Sequence, residues 1–498
     1  MSRDRAVRAT VTATVTDPAA AAVPIAGHPW VDVSDVELRA DLTGEVDPAV
    51  ARRPGGRLIY SLRSATAGGR ASEDTIGRTA RLLAAAGRFD VVDLEAERDL
   101  RPELLDRIPP EQRRICWYGP AGDAAELRRQ FDRMAQVPAG LYLLAPAAAS
   151  VEQAVAPLRL LRELGRPDVT AFGTGPAGTW SRLLAPFLGA PVVYGRWNPT
   201  DSSGPPETTG APTVEQLLLD YPFPTMPRLE RLYGIVGRRT SGSLSPRMHN
   251  AAYRTIRLPA LFLPWQSLDL AAVWPHLVDS GLPGLGLRLD GLTVTSPLKE
   301  TAVTLVPTVS RAAHAAGGAN LLVRRRSGWH AYTTDGYAVV AALRHRRIRL
   351  AGTSVAVLGC GGAGRSAAAE LTRAGAVVTL VNRGARRGRT ASALLGLPLV
   401  PLAALDPGRY RIVVNATPLI DEHPVAADRL DGDAVVVDFV YGPKESALMS
   451  TARGRGLVAI DGWEILSREV RRQFAVMTGR AMPATAVAGS LPVVGVPA

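Results

Sequence analysis

The chain has 498 residues, 46% of them hydrophobic and 21% charged. That is more than one compact core holds, so two or three domains are expected, and no apolar run reaches the ~20 residues a membrane span requires. Its net charge of +12 is almost wholly arginine, because the only lysines are Lys299 and Lys444; the arginines are scattered without interleaved aromatics, which favours solvated surface and pockets for small anions over nucleic-acid or membrane binding.

The opening stretch, MSRDRAVRATVTATVTD, has basic residues but no clean apolar segment and no cleavage site, so a signal peptide is not expected and the protein is placed in the cytoplasm. Cys116 and Cys360 lie far apart, as free thiols of a reducing compartment would. The seven histidines include no H-x-x-x-H pair, so no metal site is expected.

From Thr10 onward, short apolar strands alternate with helical stretches. The strands are TVTATV, DVELRAD, RLIYSLR, FDVVDLEAE, RRICWYG, AGLYLLAPA, DVTAFGTG and PVVYG, with helices such as TIGRTARLLAAAG and VEQAVAPLRLLRELG between them. Eight such repeats predict an α/β fold of the (β/α)8-barrel type, although the periodicity also allows an open doubly wound sheet. A Pro/Gly/Ser/Thr-rich zone from Arg196 to Pro212 and a proline cluster ending at Pro227 mark a boundary near residue 228.

The second half carries TSVAVLGCGGAGRSAAAELTRAGAVVTLVNRG, which reads as strand, glycine turn, helix, strand. This is the pattern of a dinucleotide-binding Rossmann unit: Gly359, Gly361, Gly362 and Gly364 let the backbone approach a pyrophosphate at a helix N-terminus. The second strand ends on Asn382-Arg383 where an NAD site would place an acid. An arginine suits the 2′-phosphate of NADP, and Arg386 or Arg387 would add to that clamp. Lys299, in TVTSPLKET, stands out because lysine, unlike arginine, can exchange its proton near neutral pH when its surroundings favour it.

GSLSPRMHNAAY, GLTVTSPLKE, GGANLL, YTTDG, the glycine loop, VNATP, DFVYGP and FAVMTG occur in the order found in shikimate dehydrogenases, and the resemblance covers nearly all of 230–485. It implies NADPH-dependent reduction of 3-dehydroshikimate to shikimate, a carboxylated cyclohexene, by a monomer or homodimer. Lys299 and Asp335 are then the catalytic pair. Ser243 and Ser245, one residue apart in an expected extended segment, hold the substrate carboxylate. Thr295, Asn320, Thr334, Tyr441 and Glu469 match further substrate positions, and Thr417 joins the cofactor site. The sequence departs from the family at Thr293, at Thr333, at Leu321 (a threonine in the family) and at Glu469 (a glutamine in the family). A carboxylate at 469 favours a substrate bearing an amino group.

The first half resembles type I 3-dehydroquinate dehydratase, in the order of the plant bifunctional enzymes, through VELRAD, IYSLRS, VVDLEAE and TWSRLL. That enzyme needs a Schiff-base lysine and a histidine proton shuttle. Residues 1–228 contain no lysine, and their only histidine is His28. The family's lysine falls on Leu143, its histidine on Tyr118 and a glutamate on Ala67, while its closing Pro-Gly-Gln is missing around Pro212. The barrel is therefore expected to be a pseudoenzyme, with Arg39, Arg63 and Arg182 either binding a carboxylated ligand or serving as ion-pair partners of Glu37, Asp41 or Glu95.

The expected domains are the barrel over 1–227, a substrate lobe over 228–332 plus 463–490, and a Rossmann domain over 333–462. Alternative functions are a dehydrogenase for quinate or an amino-shikimate, and a non-catalytic metabolite sensor like the fungal quinate-pathway repressors.

Overall fold

A computed structural model describes residues 7–17, 20, 32–72, 74–197, 210–442 and 444–489. The first six residues, His28 and the greater part of the 196–212 zone lie outside the described residues. The chain forms two compact units. One comprises Met1–Leu232, Arg239–Ser267 and Ala272–Leu289; the other comprises Tyr233–Arg238, Leu268–Ala271 and Asp290–Ala498.

In the first unit all eight strands expected from the alternating pattern form. They are β1 (Thr10–Val15), β2 (Asp35–Arg39), β3 (Leu58–Ser61), β4 (Val91–Glu95), β5 (Arg113–Trp117), β6 (Leu141–Leu144), β7 (Val169–Ala171) and β8 (Val192–Trp197). They lie parallel in the order β7-β6-β5-β4-β3-β2-β1-β8. Arg114 on β5 bonds Asp93 on β4, Glu37 on β2 and Tyr194 on β8. One side chain can reach strands so far apart in the sheet only across an interior, so the sheet curls into a nearly closed barrel rather than an open layer. Alternation explains what fills it: Glu37 and Arg39 share one face of β2, while Val36 and Leu38 share the other. Helix α1 (Thr75–Ala86) is capped by Asp74, whose side chain accepts from the Gly77 N–H at 2.7 Å. The same unit holds α2 (Ser245–Thr255) and β9 (Ala260–Gln266), joined by a two-way amide bond between Asn250 and the Phe262 backbone.

In the second unit the Rossmann sheet is built from β10 (Ser354–Leu358), β11 (Val377–Asn382), β12 (Leu399–Pro401), β13 (Ile412–Asn415), β14 (Val435–Asp438) and β15 (Val458–Ile460). The order is β12-β11-β10-β13-β14-β15, all parallel. This reversal at β10 is the switch point outside which dinucleotides bind. Both faces are apolar: Val355 and Val357 pack with Ala367 and Leu371, while Ala356 and Leu358 pack with Val413 and Leu448. Helices α3 (Asp335–His345), α4 (Gly362–Arg373) and α5 (Gly462–Thr478) belong to this unit. Among the described residues no helix is long and apolar enough to cross a membrane.

Candidate active site

Lys299 follows the strand Leu289–Val294 and opens a four-residue helix, Lys299–Ala302. Its carbonyl accepts from the Ala319 N–H at 2.8 Å, which fixes it beside Asn320. Its Nζ donates to both oxygens of Asp335, at 2.7 and 2.9 Å. Asp335 is 2% exposed and begins α3. Burial works to lower the Lys299 pKa, but attraction to Asp335 and Glu469 outweighs it, and the net direction is upward. The surroundings therefore do not ease the proton off, as the sequence reading allowed; they hold a charged ammonium, which suits a proton donor.

Asn320 links this pair to the rest of the cluster. Its Oδ1 accepts from the Thr334 N–H at 2.9 Å, and its Nδ2 donates to Thr334 Oγ1 at 2.9 Å and to Glu469 Oε1 at 3.0 Å. Gln473, one turn beyond Glu469 on α5, also donates to Glu469 Oε1, at 2.8 Å. Burial and the neighbouring Asp335 charge push the Glu469 carboxyl up to about 7, with Lys299 pulling the other way. Tyr441 packs its ring 5.2 Å from Trp463, and burial of its phenol together with the Glu469 charge raises its pKa. Thr293 donates its hydroxyl to the Gly234 carbonyl at 3.1 Å, and Leu321 is fully buried in its strand, so both departures are accommodated by the local packing. Thr295 is half-buried and joins its N–H to the Val236 carbonyl at 2.9 Å.

Ser243 and Ser245 lie in the first unit. Their segment is not extended: Leu244 has φ −80° and ψ −4°, and α2 begins at Ser245. The Ser245 N–H donates to Ser243 Oγ at 3.2 Å, so Ser243 closes a tight turn at the helix start instead of alternating with its neighbour along a strand.

The glycine turn fits a dinucleotide. Gly359 has φ +95°, a conformation that side chains resist. A Cβ on Gly364 would meet the Gly359 carbonyl oxygen at 1.8 Å, whereas one on Gly361 would meet nothing within 4 Å, which leaves open space above the turn. A Cβ on Gly362 would strike the Lys299 side chain at 2.9 Å, so the start of α4 runs against the lysine. Asn382 Oδ1 accepts from the Cys360 N–H at 3.1 Å and steadies the turn. Arg383 and Arg386 are exposed, and Arg387 is bonded to Glu300 at 3.0 Å. Thr417 donates its N–H and hydroxyl to Asn415 Oδ1, at 3.1 and 2.7 Å. Asn415 in turn donates to Asp438 at 2.9 Å.

Sequence reasoning missed three members of this unit. Ser366 accepts the Gly336 N–H and bonds the Thr333 hydroxyl, Arg365 pairs with Glu300 at 3.2 Å, and Gln473 helps hold Glu469. Only Gln473 had a readable signal, its spacing of one helical turn from Glu469. Lys444 is exposed and pairs with Asp421.

A shikimate dehydrogenase (NADP(+)) of Thermococcus kodakarensis is 34% identical over 257 residues, covering 50% of this chain and 91% of that protein. The chain belongs to the shikimate dehydrogenase family. The shikimate dehydrogenase substrate binding domain matches residues 235–322, and type I 3-dehydroquinase matches residues 10–220. The bifunctional 3-dehydroquinate dehydratase/shikimate dehydrogenase of Arabidopsis thaliana, described as chloroplastic, is 27% identical over 381 residues, 70% of this chain and 60% of that one. A solved shikimate 5-dehydrogenase from Thermus thermophilus, in complex with shikimate, is 28% identical with a TM-score of 0.47, covering 53% of this chain and 97% of that one.

In this family member the dehydratase-like barrel holds a cavity lined by Arg39, Arg63, Arg182, Tyr118, Leu143 and Phe172, among others. Arg39 makes two 2.8 Å bonds to Asp41. Arg63 stacks 3.7 Å above the Tyr118 ring, and Arg182 lies 4.3 Å from the Phe172 ring centre. Arg114, unnoticed in the sequence, is fully buried between Glu37 and Asp93, and the Arg114 and Arg63 charges outweigh burial to hold the Glu37 carboxyl at about 2.

Proposed function

We propose that the protein is an NADP-dependent dehydrogenase that interconverts 3-dehydroshikimate, or a close analogue, with shikimate. The observation that carries this reading is the Lys299–Asp335 pair, its carboxylate buried and its lysine packed against the glycine turn. NADPH, when bound, supplies the hydride for the ketone carbon. The turn at Gly359–Gly364 and the N-terminus of α4 would hold its pyrophosphate, and Arg383 and Arg387 would be the partners of its 2′-phosphate. Lys299 donates its Nζ proton to the developing alkoxide, and Asp335 keeps the ammonium charged and aimed. Asn320, Thr334 and Tyr441 orient the ring hydroxyls. The balance is ketone plus NADPH plus a proton giving alcohol plus NADP+.

The barrel, on this reading, is a pseudoenzyme domain. Leu143 and Tyr118 stand where a Schiff-base lysine and a proton shuttle are needed, and leucine offers no amine to a ketone. Two buried free thiols support a cytoplasmic setting. A sensor function has no need of a lysine held as an ammonium beside a dinucleotide turn, which disfavours that alternative.

The test is absorbance at 340 nm with the full chain, NADP+ and shikimate, quinate or an aminoshikimate. Turnover of shikimate that falls about 10²–10⁴-fold in Lys299→Ala is expected. Undiminished turnover in that variant would defeat the assignment. Conversion of dehydroquinate to dehydroshikimate by the full chain would defeat the pseudoenzyme reading.

A further inference from the structure

We propose that Glu469 selects a substrate whose ring carries an ammonium in place of a hydroxyl other than the one oxidised; this rests on the dehydrogenase reading above. The carboxylate is built into the cluster. Its Oε1 accepts from two amides, Asn320 Nδ2 at 3.0 Å and Gln473 Nε2 at 2.8 Å. Both amides are themselves fixed on Thr334, at 2.9 and 3.3 Å to its hydroxyl. Glu469 therefore keeps its place without a ligand, and its half-buried side chain is reachable from solvent.

The charges then decide what it receives. Lys299 and Asp335 cancel as a bonded pair. Tyr441 is a neutral phenol with a raised pKa. Other cations on or against α5 are placed away from Glu469: Arg325 bonds the Val476 carbonyl, Arg346 and Arg468 pair with Glu464, Arg472 lies over the Tyr337 ring, and Arg471 is exposed. An ionised Glu469 leaves this cluster one negative charge in excess. A glutamine there would both give and take hydrogen bonds with a ring hydroxyl at no charge. A carboxylate only accepts, and a ligand ammonium satisfies it while cancelling the excess charge.

Protonation of Glu469 then opposes binding of the amine. Because burial and Asp335 push Glu469 up to about 7, a cationic ligand must displace its proton at lower pH. KM for the amine should therefore fall as pH rises through about 7, and KM for shikimate should not.

The experiment compares wild type, Glu469→Gln and Glu469→Asp on shikimate and an aminoshikimate, each with NADP+, from pH 6 to 9. Wild type is expected to favour the amine by about tenfold or more in kcat/KM at pH 8. In Glu469→Gln that preference should invert and the pH dependence of the amine KM should vanish. In Glu469→Asp, which keeps the charge, the preference should persist with a higher KM. Shikimate oxidation with the same amine-to-shikimate ratio in wild type and Glu469→Gln overturns the inference alone. Oxidation of neither compound by any of the three proteins overturns the dehydrogenase reading too. If Glu469→Gln does not fold, an amine KM in wild type unchanged between pH 6 and 8 overturns the inference.

Discussion

The barrel interior and the Lys299 cluster are both buried groups of charges, and they are built from different cations. In the barrel a guanidinium, Arg114, bonds Glu37, Asp93 and Tyr194 together, and Glu37 stays ionised with its pKa held at about 2. Arg114 and Glu37 stay charged at any physiological pH, and the network ties four strands together. In the other unit an ammonium faces two carboxyl groups, one of which is pushed up to about 7. Only the second arrangement holds groups able to trade protons. Burial of charge marks both regions; the ability to titrate separates structure from chemistry.

The sharpest way to break this contrast is to exchange the cation types. Lys299→Arg keeps the charge and a partner for Asp335 but removes an exchangeable proton. We expect kcat to fall about 10²–10⁴-fold, measured as NADP+ reduction, with the fold intact. A variant of near wild-type rate would mean that charge alone suffices there. Arg114→Ala should leave Glu37 and Asp93 buried without their shared guanidinium partner and lower stability by about 3–5 kcal/mol in urea denaturation. A loss under about 1 kcal/mol would show that the barrel interior does not depend on this ion network.

A smaller effect is expected at the hydrogen-bond relay behind the glycine turn. Asp438 accepts from Asn415 and, at 2.6 Å, from the Ser446 hydroxyl. Asp438→Ala should loosen Asn415 and with it Thr417, raising KM for NADP+ about tenfold while KM for shikimate moves little. An equal rise in both constants would point to a general loss of structure.

Much of this was legible along the chain. The eight barrel strands announce themselves because each is a short apolar run bounded by turns, and the Rossmann unit because its glycines stand between a strand and a helix. What separated a closed barrel from an open sheet was Arg114, whose partners lie 21, 77 and 80 residues away. No local pattern carries that information. The Ser243–Ser245 segment was misread for a related reason: two serines around a leucine look like alternation, and Pro246, at the first turn of a helix, was the overlooked signal. Lys299 was found by its rarity, but its raised pKa depends on Asp335 and Glu469, 36 and 170 residues further along.

The mildest prediction concerns stability and turns on Glu469 again. Its pKa is raised from 4.5 to about 7 in the folded protein, chiefly by burial and then by Asp335. The folded state therefore holds this proton more tightly than the unfolded chain does. The associated stabilisation is fully present below pH 4.5 and is lost as pH rises through about 7. Glu469→Gln cannot ionise and should escape that loss. Its melting temperature, relative to wild type, should climb between pH 5 and pH 8, at about 2–4 °C for each kcal/mol involved. The half-exposed side chain and the Lys299 charge keep the effect modest. A melting-temperature difference that stays constant across this range would mean Glu469 is ionised throughout, placing its cluster with the permanent charges of the barrel.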